Sequence, residues 1–208
     1  AHVVAAVGSM LDGGVRKAVM WSGTNATPSR VYGTGNYTSE ATSAVWQDGW
    51  VYACGYQYTS ESAYEGKVWK ADEVVHTIAN AKIWDIAYYN GTFYTVGTVL
   101  ESGAYKLRVW SGTSTLYTLV TSNASNRASI TIDAGDIYVT SYGGAAPDKV
   151  WKNGTEIYSD GGFIYGVTAN TNGVFYVGGT TSGAGKVWKD GSVLYSPSNC
   201  TRLLAVYM

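Results

Sequence analysis

The sequence predicts an all-β chain folded as a five-bladed β-propeller of four-stranded antiparallel blades, and three observations predict it. The 208 residues include 26 Gly, 18 Tyr and 8 Trp but only 14% charged residues. That balance disfavours helix and suits strands joined by tight turns. A basic-Val-Trp signature recurs as Lys67-Val68-Trp69-Lys70, Arg108-Val109-Trp110-Ser111, Lys149-Val150-Trp151-Lys152 and Lys186-Val187-Trp188-Lys189, with Ala18-Val19-Met20-Trp21 as a fifth copy. Successive tryptophans lie 48, 41, 41 and 37 residues apart, which is the length of a propeller blade and too irregular for a tightly stacked solenoid.

Each repeat resolves into four strands. Upstream of the Trp sits an alternating apolar run that ends near Gly, as in Trp50-Val51-Tyr52-Ala53-Cys54-Gly55, Thr92-Phe93-Tyr94-Thr95-Val96-Gly97 and Val174-Phe175-Tyr176-Val177-Gly178-Gly179, or in Ser141 for Asp136-Ile137-Tyr138-Val139-Thr140-Ser141. These are second strands. First strands precede them at 43–47, 85–89, 129–132 and 166–169, closed by Asp48-Gly49, Asn90-Gly91, Ala134-Gly135 and Asn172-Gly173, whose composition suits the positive φ of hairpin turns. After the Trp strand, Asn153-Gly154 and Asp190-Gly191 lead to short outer strands. The first repeat, from His2, lacks an inner strand, and Arg202-Leu203-Leu204-Ala205-Val206-Tyr207 is an inner strand with no blade after it. If the two pair, the ring closes and its open edges disappear. The expected blades are 1–37 plus 202–208, 41–80, 83–122, 127–161 and 164–199, all in one domain.

Composition narrows the partners. A net charge of −1 offers no basic field for nucleic acid or anionic lipid, and no apolar run is long enough to span a bilayer. Cys54, in a strand, and Cys200, in a connection, read as two unpaired thiols. No metal-ligand spacing is present and no cofactor is implied. Six N-x-Ser/Thr sequons, at Asn25, Asn36, Asn90, Asn123, Asn153 and Asn199, favour an extracellular or surface-exposed protein, although Asn90-Gly91 and Asn153-Gly154 also serve as turns.

The V-Y-V-x-G strand followed by a K-x-W-K-N-G strand and turn resembles the short-repeat bacterial β-propeller families, over nearly the whole chain. In blade size and five-fold architecture the chain also resembles the tachylectin-type five-bladed lectins. That second resemblance is architectural, since no sugar-binding motif of theirs is matched, and it implies a carbohydrate-binding role by analogy.

The recurring residues read as scaffold. A blade packs a neighbour on each face, so one Trp per repeat is what packing between blades requires, and Tyr52, Tyr94, Tyr138 and Tyr176 belong to the same class. The cations two before each Trp, Lys67, Arg108, Lys149 and Lys186, cover apolar surface with their stems and reach solvent or an acidic neighbour. Function is then expected on one face, at the links between second and third strands (58–64, 101–105, 142–148, 180–185) and between outer and next inner strands (36–40, 123–127, 160–163, 199–202). Tyr37, Tyr58, Tyr64, Trp84, Tyr105, Arg127, Tyr142, Tyr165 and Arg202 converge there, a mixture of flat rings and polar groups suited to a polyhydroxylated ligand. A glycosidase would need paired carboxylates near the axis, and the inner strands offer only Asp85 and Asp133 at their edges. His2 and His76 lie in different repeats, and no nucleophile elbow or phosphate-cradling loop occurs. The expectation is a non-catalytic module that binds a glycan, or alternatively a structural or protein-docking propeller of an extracellular, fibre or viral attachment assembly.

Overall fold

The computed structural model describes residues 5–23, 27–122, 127–142, 148–160, 163–170, 175–181, 184–198 and 200. Among them five antiparallel sheets form, each a meander whose strands pair in chain order. The first holds β1 (Ala5–Asp12), β2 (Val15–Ser22) and β3 (Arg30–Val31); the second β4 (Ser39–Gln47), β5 (Trp50–Tyr58), β6 (Tyr64–Lys70) and β7 (Glu73–Ala79). The third comprises β8 (Ala81–Tyr89), β9 (Thr92–Glu101), β10 (Ala104–Ser111) and β11 (Ser114–Ser122). The fourth is β12 (Arg127–Asp133), β13 (Asp136–Tyr142), β14 (Asp148–Lys152) and β15 (Thr155–Asp160), and the last is β16 (Phe163–Ala169), β17 (Phe175–Thr181), β18 (Ala184–Lys189) and β19 (Ser192–Tyr195). The expected closing strand, 202–208, and the Asn172-Gly173 turn lie outside the described residues.

Turn chemistry sets the register of the hairpins. Asp48, Asn90, Ala134, Asn153 and Asp190 adopt φ of 46–51°, and the glycine after each 77–92°, the two positive φ values of a type I′ turn whose twist matches its strands. The segment 101–105, expected to be an open loop, is one more such turn. Ser102 and Gly103 take φ of 52° and 78°, so β9 and β10 pair without interruption from Glu101 and Ala104 onward.

The sheets stack face to face, and the Val-Trp pair is what joins them. Side chains alternate across a strand, so one residue of the pair faces the preceding sheet and the other the following one. Trp69 packs back on Ala18 and Met20 of the first sheet, while Val68 packs forward on Ile83 and Ile86 of the third. Trp110 meets Ile78 behind it, and Val109 joins Ala128, Ile130 and Trp151 ahead. Val150 in turn meets Ile164 and Trp188. The four tryptophans are only 2–3% exposed, as their reading as scaffold requires; Trp21 of the first sheet is half-buried. The cations two before three of them reach carboxylates, Lys67 to Glu65, Arg108 to Glu101 and Lys149 to Glu156. No disulfide joins Cys54 to Cys200, and Cys54 lies in the second seam beneath Val68 and Ile83.

Each seam also carries a side-chain hydrogen bond to the neighbour's backbone. The Ala18 N–H donates to Ser39 Oγ, Thr42 Oγ1 donates to the Ile83 carbonyl, and the amides of Ile130 and Ile164 donate to the carboxylates of Asp85 and Asp148. The innermost strands β4, β8, β12 and β16 lie side by side and line a channel of about 620 Å³.

Trp151→Ala empties a seam that neighbouring strands cannot collapse into, and is expected to lower stability by about 3–5 kcal/mol. Lys149→Ala removes only a solvent-exposed ion pair with Glu156 and is expected to cost less than about 1 kcal/mol. Urea titration of the two variants against the parent chain checks the ranking.

Candidate functional site at the mouth of the channel

Three of the innermost strands carry a β-bulge near their start, and the bulged residue lines the channel. The register slips between Ala41 and Ser43, between Ile83 and Asp85, and between Ile164 and Gly166, which leaves Thr42, Trp84 and Tyr165 as the extra residues. All three line the channel. The cause lies on the neighbouring strand. Gly55, Gly97 and Gly179 stand opposite the bulges, where a Cβ would fall 1.9, 2.2 and 2.0 Å from the carbonyl oxygens of Glu40, Lys82 and Phe163. Only a residue without Cβ lets the bulged backbone come so close. In the fourth sheet Ser141 occupies this position, and β12 pairs with β13 without a slip.

In each of the four-stranded sheets the first strand begins, the second ends and the third begins on the same side, so the bulges open onto the face where these strand ends meet. A continuous row of rings and cations crosses four sheets there. The Tyr56 hydroxyl donates to Glu40 Oε2 at 3.0 Å, and the Tyr56 ring meets Trp84 edge-on with centroids 5.9 Å apart. The Arg127 guanidinium lies 5.4 Å over Trp84 and hydrogen-bonds Tyr142, its cross-strand partner. Tyr142 packs against Tyr165 at 5.8 Å, and Tyr165 against Phe163 at 6.3 Å. Beside Tyr56, Lys82 Nζ donates to the Tyr58 hydroxyl at 3.0 Å and sits 4.7, 5.1 and 5.1 Å from the ring centres of Tyr56, Tyr58 and Tyr64. The Trp84 indole N–H is taken by Thr98 Oγ1, so that ring offers contact only through its carbon surface.

Of the residues expected from sequence, the structure joins Tyr58, Tyr64, Trp84, Arg127, Tyr142 and Tyr165 in this row. Tyr105 lies beside Tyr64 and, after burial, is the next cause raising its phenol. Tyr37, 40% exposed, borders a separate shallow hollow with Thr38, Tyr56, Tyr58, Ser60 and Glu61. Arg202 lies outside the described residues. Sequence reasoning missed Tyr56 and Lys82, and it reached Glu40 and Phe163 only as the ends of the links 36–40 and 160–163. A signal existed for their neighbourhood, since Gly55, Gly97 and Gly179 mark each bulge.

Electrostatically the mouth is quiet. Burial, with Glu40 as the next cause, pushes Tyr56 above the usual phenol range, and burial does the same to Tyr142 against the opposing charge of Arg127. Both phenols therefore stay protonated, Tyr56 with its proton given to Glu40. Asp85 lines the channel, but its two oxygens accept the amides of Ile86 and Ile130, and the hydroxyls of Ser43 and Ser129 bond it as well. Asp133 closes β12 at the other end of its blade, so the two carboxylates do not face one another across a substrate position. Among the described residues no group of three or more His, Cys, Asp and Glu is placed to hold a metal ion.

No family model matches the sequence, and no curated protein matches it. Among 28 solved chains that do match, the crystal structure of the WD40 β-propeller domain of Doa1 aligns with a TM-score of 0.57 at 17% identity, over 96% of this chain and 66% of that one. The present chain thus spans just under two thirds of that domain's length. At this identity the likeness concerns architecture alone, and it identifies the stacked four-stranded sheets as a β-propeller.

Two outcomes follow. Gly97→Ala drives a methyl group into the Lys82 carbonyl and is expected to cost about 1–3 kcal/mol and to change the near-ultraviolet circular dichroism of Trp84; Ser141→Ala, opposite an unbulged strand, is expected to leave that signal unchanged. Burial outweighs the hydrogen bonds at Asp85 and raises its pKa above the aspartate value of 3.8, so the folded state holds this proton more tightly than the unfolded chain. Its stabilising contribution is then complete below about pH 4 and declines as the pH rises through the folded value. Melting temperatures of the parent chain and Asp85→Ala, compared between pH 3.5 and 7, should show the gap between them narrow as the pH rises.

Proposed function

We propose that the chain is a non-catalytic binding module, a ring of five blades closed by residues 202–208, that holds its ligand across the mouth of the channel, and that the ligand is a saccharide. The observation that carries this reading is the row from Tyr56 through Trp84, Arg127 and Tyr142 to Tyr165, set above a channel wall that carries the hydroxyls of Thr131 and Thr168 beside those of Thr42, Ser43 and Ser129, which are engaged within the chain. Flat ring faces accept the C–H surface of a pyranose while hydroxyls and protonated phenols match its oxygens. The engagement of Asp85 with backbone amides argues against glycoside hydrolysis, which needs one carboxyl to protonate and another to attack or activate water.

The site differs from blade to blade, and that favours one alternative, a docking face for a protein partner, which needs a single contiguous patch. Phe163, 50% exposed at the end of the row, suits either role. An extracellular setting is supported by the sequon at Asn36. Asn153 is a weaker acceptor, because its side-chain oxygen accepts the Ile137 amide and its nitrogen donates to Asp136.

A glycan-array screen of the full chain, beside Trp84→Ala/Tyr165→Ala and the surface variant Phe163→Ala, tests the saccharide reading. The expected result is binding to one sugar class that both variants reduce at least tenfold while circular dichroism stays that of the parent. A folded parent chain that binds nothing on the array would sink it and leave the docking reading.

A further inference from the structure

We infer that Arg127 is an anion-recognising subsite of the channel mouth and that the saccharide it selects is carboxylated, a uronic acid type sugar; this rests on the saccharide reading above. Six cations elsewhere on the propeller are paired with carboxylates of the chain itself. Arg30 pairs with Asp72, Lys67 with Glu65, Lys106 and Arg108 with Glu101, Lys149 with Glu156 and Lys152 with Asp136. Lys70, away from the mouth, lies over the rings of Trp50 and Tyr52, and the two cations of the mouth are placed likewise. Among the described residues neither Lys82 nor Arg127 has a carboxylate within ion-pair distance, and each is held instead by aromatic rings.

Neighbouring charges decide which of the two would receive an anion. Lys82 is enclosed by three tyrosines, and Glu40 is bonded to one of them, so a ligand carboxylate on that side meets both a filled cage and a like charge. Arg127 is exposed, and its guanidinium lies over Trp84 with one bond to Tyr142. A guanidinium has five donors in a planar fork, so a pair of parallel N–H groups is left for a carboxylate, the geometry such forks fit best. Contact with Trp84 and Tyr142 fixes the fork in advance, which reduces the ordering entropy lost on binding. Asp85, the nearest carboxylate in the channel wall, is turned to the Ile86 and Ile130 amides and bonded by two serines. A sugar carboxylate on Arg127 would leave its ring against Trp84 on one side or Tyr165 on the other.

The test is calorimetric titration of the full chain with oligogalacturonate and with the same oligomer methyl-esterified, which keeps the ring and removes the charge. The parent is expected to bind the acid at least tenfold more tightly than the ester, with affinity for the acid falling as salt rises. Arg127→Gln should bring the two affinities within about threefold, and Arg127→Lys should restore part of the preference, since it keeps the charge but loses the fork. Equal binding of acid and ester by the parent, both abolished in Trp84→Ala/Tyr165→Ala, would overturn the anion subsite while leaving the saccharide reading in place. An acid preference that survives Arg127→Gln would likewise overturn it. Binding of neither oligomer overturns it too, and the neutral sugars of the array then decide whether the saccharide reading falls with it.

Discussion

A four-stranded blade of about forty residues has two apolar faces and no interior of its own, so every blade must bury each face on a neighbour or leave it in water. The rest of the molecule follows from how this sequence meets that constraint. In the third strand of the four four-stranded sheets a Val and a Trp stand side by side, and the two-residue period of a strand points them in opposite directions. Trp151 closes the seam behind its blade with Val96 and Val109, and Val150 opens the seam ahead with Ile164 and Trp188. One dipeptide therefore serves two interfaces.

Apolar packing is non-directional and leaves the rotation between blades loosely set. The polar contacts across the seams supply the direction. Inner strands present an edge to the channel whose backbone groups have no ladder partner on that side; Thr42, Asp85 and Asp148 each reach such a group on the adjacent blade, and Ser39 reaches the Ala18 amide of β2. Four different side chains from differing blade positions do the same task, twice with a carboxylate and twice with a hydroxyl. Beside them the bulges at Thr42, Trp84 and Tyr165 turn side chains into the channel. Scaffold and candidate site thus meet in the same few residues of each inner strand, and substitutions there alter seam geometry together with the row of rings.

Features that repeat were legible in the sequence, and features that pair one blade with the next were not. The Val-Trp dipeptides, the Gly-containing hairpins and the glycines at the ends of second strands each express a demand local to one blade, so they recur and can be aligned. Segment 101–105 misleads for a local reason too: Ser102 takes a positive φ that its residue type seldom announces, and a turn reads as a loop. Tyr56 reads as an ordinary strand residue, and nothing nearby in sequence says that its ring meets Trp84 of the following blade. Lys82 is hidden for the same reason, since the tyrosines around it come from the preceding sheet. Arg127, Tyr142 and Tyr165 could be named because strand ends on one face can be counted from the repeat, but the order in which they touch required the blades to be placed.

The exception to the bulge pattern bears on valency. A site repeated in every blade would need the bulge, the glycine that permits it and a common side chain at the bulged position. Here the bulged residues are Thr42, Trp84 and Tyr165, three different chemistries, and the fourth sheet has Ser141 and no bulge between β12 and β13. Its contribution to the mouth comes instead from the strand ends, where Arg127 and Tyr142 bridge Trp84 to Tyr165. Without that bridge the rings of the third and fifth blades would stand apart across the channel; with it they form one surface. The repeat therefore builds a symmetric frame, whereas the surface on it is composite and occurs once per chain, so avidity from several equivalent sites on one ring is not what this arrangement favours.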